Sequence, residues 1–202
     1  GIRSVTRCPT SNGCGASCAA AVPAAARRIA SAAAAIERAL GGARRIVRAM
    51  PNLPAAAGAG ATALCGGRGL AENDRQRAER LMAAAGTAIW VESEEAIDWA
   101  TAVSGSGPAY FFLLAEALAE AGARLGLGSD AAMGLARATL VGAGRLAERD
   151  PRGLADLRKA VTSPGGTTEA ALKVLDGDAR HVRTLMIEAV AAAARRAGEL
   201  TN

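Results

Sequence analysis

The chain has 202 residues, half of them hydrophobic and only 2% aromatic, enough for one large or two small domains and too apolar for disorder. Alanine supplies about a quarter of it, which favours closely packed helices over a β-sandwich built on aromatic and β-branched residues. The net charge of +5 is local, since residues 1–48 hold eight arginines and one acid (Glu37), leaving 16 bases against 18 acids for residues 49–202; this speaks against nucleic-acid binding, as does the shortage of stacking aromatics, and no apolar run of about 18 residues exists to span a membrane.

Residues 1–28 are rich in Ser, Arg, Ala and Cys and hold no acid. That composition resembles a transit peptide, but they are read as an irregular leader. Residues 29–41 suit a short helix stopped by Gly41 and Gly42. Arg45 to Met50 reads as a strand, ended by Pro51-Asn52-Leu53-Pro54 because two prolines forbid regular pairing. Ala61 to Cys65 is a second strand. Residues 70–85 follow a 3.6-residue apolar period and form a helix closed by Gly86. Thr87 to Val91 is a short strand, and Glu94 to Thr101 a further helix. Strands alternating with helices indicate an α/β layer.

After Ser104 the pattern becomes all-helical. Ala109 to Leu125 is a long apolar helix, with Pro108 at its first position and Gly126 as its stop. Ser129 is an N-cap candidate for a helix over 130–149, ended by Pro151. Short helices follow over 154–160 and from Thr167 to Leu175, then a break at Gly177. The last helix runs to Ala197, with Gly198 as its cap. The domain reading is an unmatched leader over 1–28, an α/β part over 29–102 and a helical domain over 103–202.

Cysteines and histidine offer little chemistry. Cys8, Cys14 and Cys18 crowd the leader, Cys65 stands alone, and His181 is the single histidine. A closed zinc site needs four good ligands, so no metal is expected. Free thiols fit a reducing cytoplasm.

The most informative segment runs from Val161 through Ser163-Pro164-Gly165-Gly166-Thr167-Thr168 to Leu172. It is a turn feeding a helix. Gly165 and Gly166 let backbone N–H groups approach a ligand without a Cβ in the way. The unpaired N–H groups at the new helix favour a carboxylate or phosphate, and Thr168 adds a hydroxyl that can donate or accept. An ordinary helix start is the plainer reading of the same residues.

This segment matches, position by position, the signature of pyrroline-5-carboxylate reductases. Val47-Arg48-Ala49-Met50-Pro51-Asn52-Leu53-Pro54 resembles that family's loop of Met-Pro-Asn-Thr-Pro type, with Leu53 in place of the usual threonine and its hydroxyl. Ser104-Gly105-Ser106-Gly107-Pro108-Ala109-Tyr110 resembles the family's lead into its first long helix. The likeness spans about residues 36–200. It implies part of a Rossmann-like nucleotide-binding domain followed by a helical dimerisation domain, and an obligate homo-oligomer.

The resemblance also implies a reaction. NADPH or NADH gives a hydride to the C=N carbon of a cyclic imine carrying a carboxylate, which makes L-proline. The substrate carboxylate would sit on N–H groups around Gly166, Thr167 and Thr168, within the turn that includes Ser163 and Gly165. The Thr168 hydroxyl would hydrogen-bond the ring nitrogen as the catalytic group. A family carboxylate near the substrate falls on Glu94, though Glu92 and Glu95 beside it leave open a merely solvated helix start. Ala49, Met50, Pro51 and Asn52 would meet the nicotinamide at a strand end.

A dinucleotide site also needs a glycine-rich turn between a strand and a helix. Gly58-Ala59-Gly60-Ala61-Thr62-Ala63 has the spacing but precedes a strand. Gly105-Ser106-Gly107 lies in the substrate half, and Gly126-Leu127-Gly128 joins two helices. The family carries its motif ahead of the region present here, so the chain reads as N-terminally truncated. The alternative function is a catalytically impaired remnant that serves only as a helical dimerisation module.

Overall fold

A computed structural model of the chain describes residues 36–42, 45–67, 69–178 and 180–200. The leader over 1–28, most of the helix expected over 29–41, and Cys8, Cys14 and Cys18 lie outside them. A helical turn at 36–39 is closed by Gly41 and Gly42, both with positive φ.

Three strands follow: β1 (Val47–Met50), β2 (Gly60–Gly66) and β3 (Gly86–Trp90). β1 begins two residues later than its sequence suggests. It runs antiparallel to β2, with Met50 opposite Ala63, whereas β3 is parallel to β2, with Leu64 opposite Trp90. A 3-10 turn over Leu53–Ala57, with Pro54 in its first turn, links β1 to β2. Helix α1 (Glu72–Ala83) links β2 to β3. The sheet is therefore mixed, and the exit loop of β1 lies at the edge where β2 and β3 begin. Gly60 and Gly86 meet there. A Cβ at Gly86 would overlap the Gly60 carbonyl oxygen, and its φ of 138° suits glycine alone.

Helix α2 (Glu94–Ala100) lies across the sheet. Ser93 caps it through its hydroxyl, which accepts from the Ala96 N–H at 3.1 Å. Ile97 is fully buried and packs with Ala63 and Cys65, flanked by Met50, Val91 and Ala100. A wide π-helical turn, Thr101–Gly105, passes the chain into the helical half.

That half comprises α3 (Gly107–Arg124), α4 (Ser129–Arg149), α5 (Leu154–Ala160), α6 (Thr167–Asp176) and α7 (His181–Leu200). Helices α3 and α4 form a hairpin. At the bend the Leu127 N–H reaches the Gly122 carbonyl and the Gly126 N–H reaches Ala123, around Gly126 at φ 105°; this is a Schellman ending. Ala119, Ala132 and Ala136 form the seam between the two helices, so alanine does permit close approach. Helix α7 packs back on α2, the π turn and α6.

Further boundaries differ from expectation, and α1 is shorter at both ends than the 70–85 helix read from sequence. Helix α3 starts at Gly107, which puts Pro108 second; α4 starts at Ser129 itself, with Gly128 as N-cap and no side-chain cap. Helix α7 runs through Gly198 to Leu200, so that glycine caps nothing. The helix begun at Glu94 widens into the π turn at Thr101, where side-chain hydroxyls engage backbone carbonyls.

Candidate active site

Two groups of residues stand out, one at the exit of β1 and one at the start of α6.

Side chains alternate along a strand, so Arg48 and Met50 share the face turned to α2 while Ala49 is exposed on the other. Arg48 reaches two carboxylates one helical turn apart on α2. Its Nη1 donates to Glu94 Oε2 at 3.4 Å, and its Nη2 lies 3.6 Å from Asp98 Oδ1. Asp98 is only 7% exposed in its side chain, and its second oxygen, Oδ2, has no partner. Burial pushes the Asp98 carboxyl above its usual range, and Arg48 opposes that. Burial likewise raises the thiol of Cys65 on β2, helped by Glu94 and opposed by Arg48 and Arg75.

Beyond Met50 the loop exposes Pro51 and Leu53. Asn52 does not face outward. Its Nδ2 donates to the Ser104 carbonyl at 2.9 Å, and its Oδ1 accepts from the Ala61 N–H at 2.9 Å. The loop that sequence assigns to a nucleotide is thus stitched to the π turn. The glycine-spaced run from Gly58 follows the 3-10 turn and enters β2, so no helix start is available to it.

At the second group, Gly165 takes φ 70°, the left-handed geometry glycine permits. A Cβ on Gly166 would lie 2.5 Å from Ser163 Oγ and 3.0 Å from its carbonyl oxygen. The Gly166 N–H donates to the Ser163 carbonyl at 3.0 Å, and the Gly165 N–H donates to Glu169 Oε2 at 2.7 Å. Both glycine N–H groups are therefore occupied. The N–H groups of Thr167 and Thr168 receive no acceptor among the described residues. Thr168 is half-buried.

The far end of α6 is fixed by charge. Asp176 takes Arg183 Nε at 2.6 Å and Arg158 Nη1 at 3.2 Å, tying α5, α6 and α7 together. The Arg183 hydrogen bond holds the Asp176 carboxyl below its usual range.

Glu94 belongs to the first group, where it pairs with Arg48. Sequence reading singled out neither Asp98 nor Glu169. Both carried a signal: Asp98 sits four residues after Glu94 on one helix face, and Glu169 is an acid in the first turn of α6, where the positive end of a helix favours it. Among the described residues no three His, Cys, Asp or Glu side chains group around a metal position, and no helix is long and apolar enough to cross a membrane.

An α/β sheet that leads through a π turn into an all-helical unit, with a glycine-shaped helix start, defines a two-part class of protein. Residues 94–200 match the family model described as pyrroline-5-carboxylate reductase dimerisation. A pyrroline-5-carboxylate reductase of Pseudomonas aeruginosa is 43% identical over 169 residues, 84% of this chain and 61% of that protein. One from Haemophilus influenzae is 39% identical over 158 residues, 78% of this chain and 58% of the relative. Among solved structures, a pyrroline-5-carboxylate reductase of Coxiella burnetii superposes with a TM-score of 0.80 at 47% identity, over 84% of this chain and 62% of that one. The Plasmodium falciparum enzyme, solved with NADP bound, gives 0.67 at 28% identity, over 83% and 63%. The chain belongs to the pyrroline-5-carboxylate reductase family. It spans about three-fifths of the length of these relatives.

Proposed function

We propose that the chain works in the reduction of 1-pyrroline-5-carboxylate to L-proline, in the cytoplasm and as a homodimer or larger homo-oligomer. One observation carries the reading: the family-matched helical half contains a glycine-shaped turn whose Thr167 and Thr168 N–H groups are left for an anion. The substrate carboxylate takes those two donors at the positive end of α6. The Thr168 hydroxyl orients the ring nitrogen and favours its protonated form. Gly165 and Gly166 shape the turn rather than donate, with Ser163 closing it. NADPH or NADH supplies the hydride. The exposed Ala49 and Pro51, with Met50 behind them, form an apolar surface that Asn52 holds in place and that would meet a nicotinamide ring. Glu94 acts through Arg48 on that strand. Rate enhancement comes from positioning and electrostatics, with no covalent intermediate on the protein.

The test is to titrate NADPH and NADH against the purified chain and then assay imine reduction. Saturable binding, of about micromolar strength, with turnover supports the proposal. Absence of binding with helicity intact by circular dichroism refutes it for this chain and leaves the reading of a helical dimerisation module.

A further inference from the structure

The π turn joins two sequence motifs that lie fifty residues apart. From Thr101 the chain leaves the ordinary helical ladder, and the Ser106 N–H reaches back five residues to the Thr101 carbonyl at 2.9 Å. The wide turn takes the Ser106 N–H away from the Ala102 carbonyl, its ordinary acceptor, and Pro108, having no N–H, leaves the Ser104 carbonyl without its ordinary donor; carbonyls shielded from water need other donors. Two side chains supply them. The Tyr110 hydroxyl donates to the Ala102 carbonyl at 3.1 Å, and Asn52 Nδ2 donates to that of Ser104. Because Asn52 Oδ1 also holds the Ala61 N–H, one carboxamide links the β1 exit loop, the first turn of β2 and the π turn. Met50 fits under the same turn, its Cε 3.7 Å from where a Cβ of Gly105 would stand. That is an ordinary contact distance; the tighter approach to such a Cβ, 3.2 Å, is from Thr101 Cγ2 within the turn itself.

We propose that Asn52 is a positioning residue. It sets the Met50–Pro51 surface against the start of α3 rather than binding a ligand itself, so the placement of the loop and the geometry of the π turn move as one. This deepens the functional reading given above and rests on it for the kinetic consequence, though not for the mechanical one.

Two variants separate the arms of the carboxamide. Asn52→Asp keeps an acceptor for Ala61 but loses the donor to Ser104, whereas Asn52→Ala loses both. Amide exchange by NMR on the intact chain reads Ala61 and Ser106. In Asn52→Asp the Ser106 N–H should exchange at least about fivefold faster while Ala61 stays within about twofold; in Asn52→Ala both accelerate. In both variants turnover should fall about tenfold, with KM for NADPH within about threefold, because a misplaced surface slows transfer more than it weakens binding. Unchanged Ser106 exchange in both variants overturns the coupling. A KM for NADPH that rises tenfold at unchanged kcat would make Asn52 a direct cofactor contact instead, and also overturns it. Should the wild-type chain fail to reduce the imine, the functional reading falls, and Ser106 exchange still decides the coupling.

Discussion

Among the described residues Arg48 is the one counter-charge of Asp98, and removing it should destabilise the chain in a pH-dependent way. Stripping the partner from a buried carboxylate costs ~3–5 kcal/mol. The Arg48 side chain is 28% exposed, so water reaches the pair, and Arg48→Met is expected at about 3 kcal/mol near neutral pH. The sign of the pH dependence follows from the raised pKa of Asp98. Its contribution is fully present below the unfolded carboxylate value of about 3.9 and is lost as pH rises through the folded value. Without Arg48 the folded value climbs further, so the loss extends toward neutrality, at most about 1.4 kcal/mol per pH unit. Asp98→Asn removes the charge and should cost under ~1 kcal/mol. Placed on top of Arg48→Met it should restore more than half of the lost stability. The assay is urea denaturation at pH 5 and pH 8, at fixed protein concentration because assembly adds to stability. If Arg48→Met is equally stable at both pH values, or Asp98→Asn costs as much as Arg48→Met, the electrostatic account is wrong.

Three further outcomes are expected. Thr168→Ala should lower turnover about 100-fold while shifting the urea midpoint by less than ~1 kcal/mol equivalent; equal turnover would remove that hydroxyl from the reaction. Ile97→Ala empties the centre of the sheet core, where Ile97 is 0% exposed, and should cost ~2–5 kcal/mol by denaturation; a loss under 1 would mean the core collapses around the gap. Phe111, Leu114 and Leu118 share one face of α3 at helical spacing and are all exposed, an unpartnered apolar stripe of the kind that marks an interaction site; Phe111→Glu should shift the chain toward monomer in light scattering, and a stable folded wild-type monomer would contradict the proposed assembly.

Much of the fold was legible because its punctuation is strong. Gly126 ends its helix as expected, and the 154–160 helix lies where its pattern places it, although the helix expected to close at Gly86 ends at Ala83 and that glycine opens β3. The errors fall where local preference yields to tertiary partners. Ser129 has the chemistry of a cap, but Gly128 already takes the extended conformation before the helix, leaving the serine inside. Gly198 favours a stop, yet α7 continues past it. Sequence periodicity also cannot show strand direction, so the antiparallel β1 came only with the register.

The site was legible as motifs and not as bonds. The Ser163–Thr168 signature does open a helix, but two of the N–H groups that make it attractive are consumed internally, one by an acid that sequence reading passed over. The resemblance makes Asn52 a cofactor contact, but it could not show that the carboxamide bonds the Ser104 carbonyl, whose ordinary donor position is filled by Pro108, and the Ala61 N–H. The π turn has no composition of its own. Its hydroxyls, Thr101 on the Ile97 carbonyl and Ser104 on that of Ala100, serve equally well in a regular helix. What distinguishes the segment is the pair of side chains, Asn52 from the β1 exit loop and Tyr110 from α3, that reach carbonyls left open by the turn and by Pro108. The two motifs are therefore best understood as parts of one hydrogen-bonded joint. Changes at Tyr110, on the helical side, should then be felt at the loop holding Met50 and Pro51.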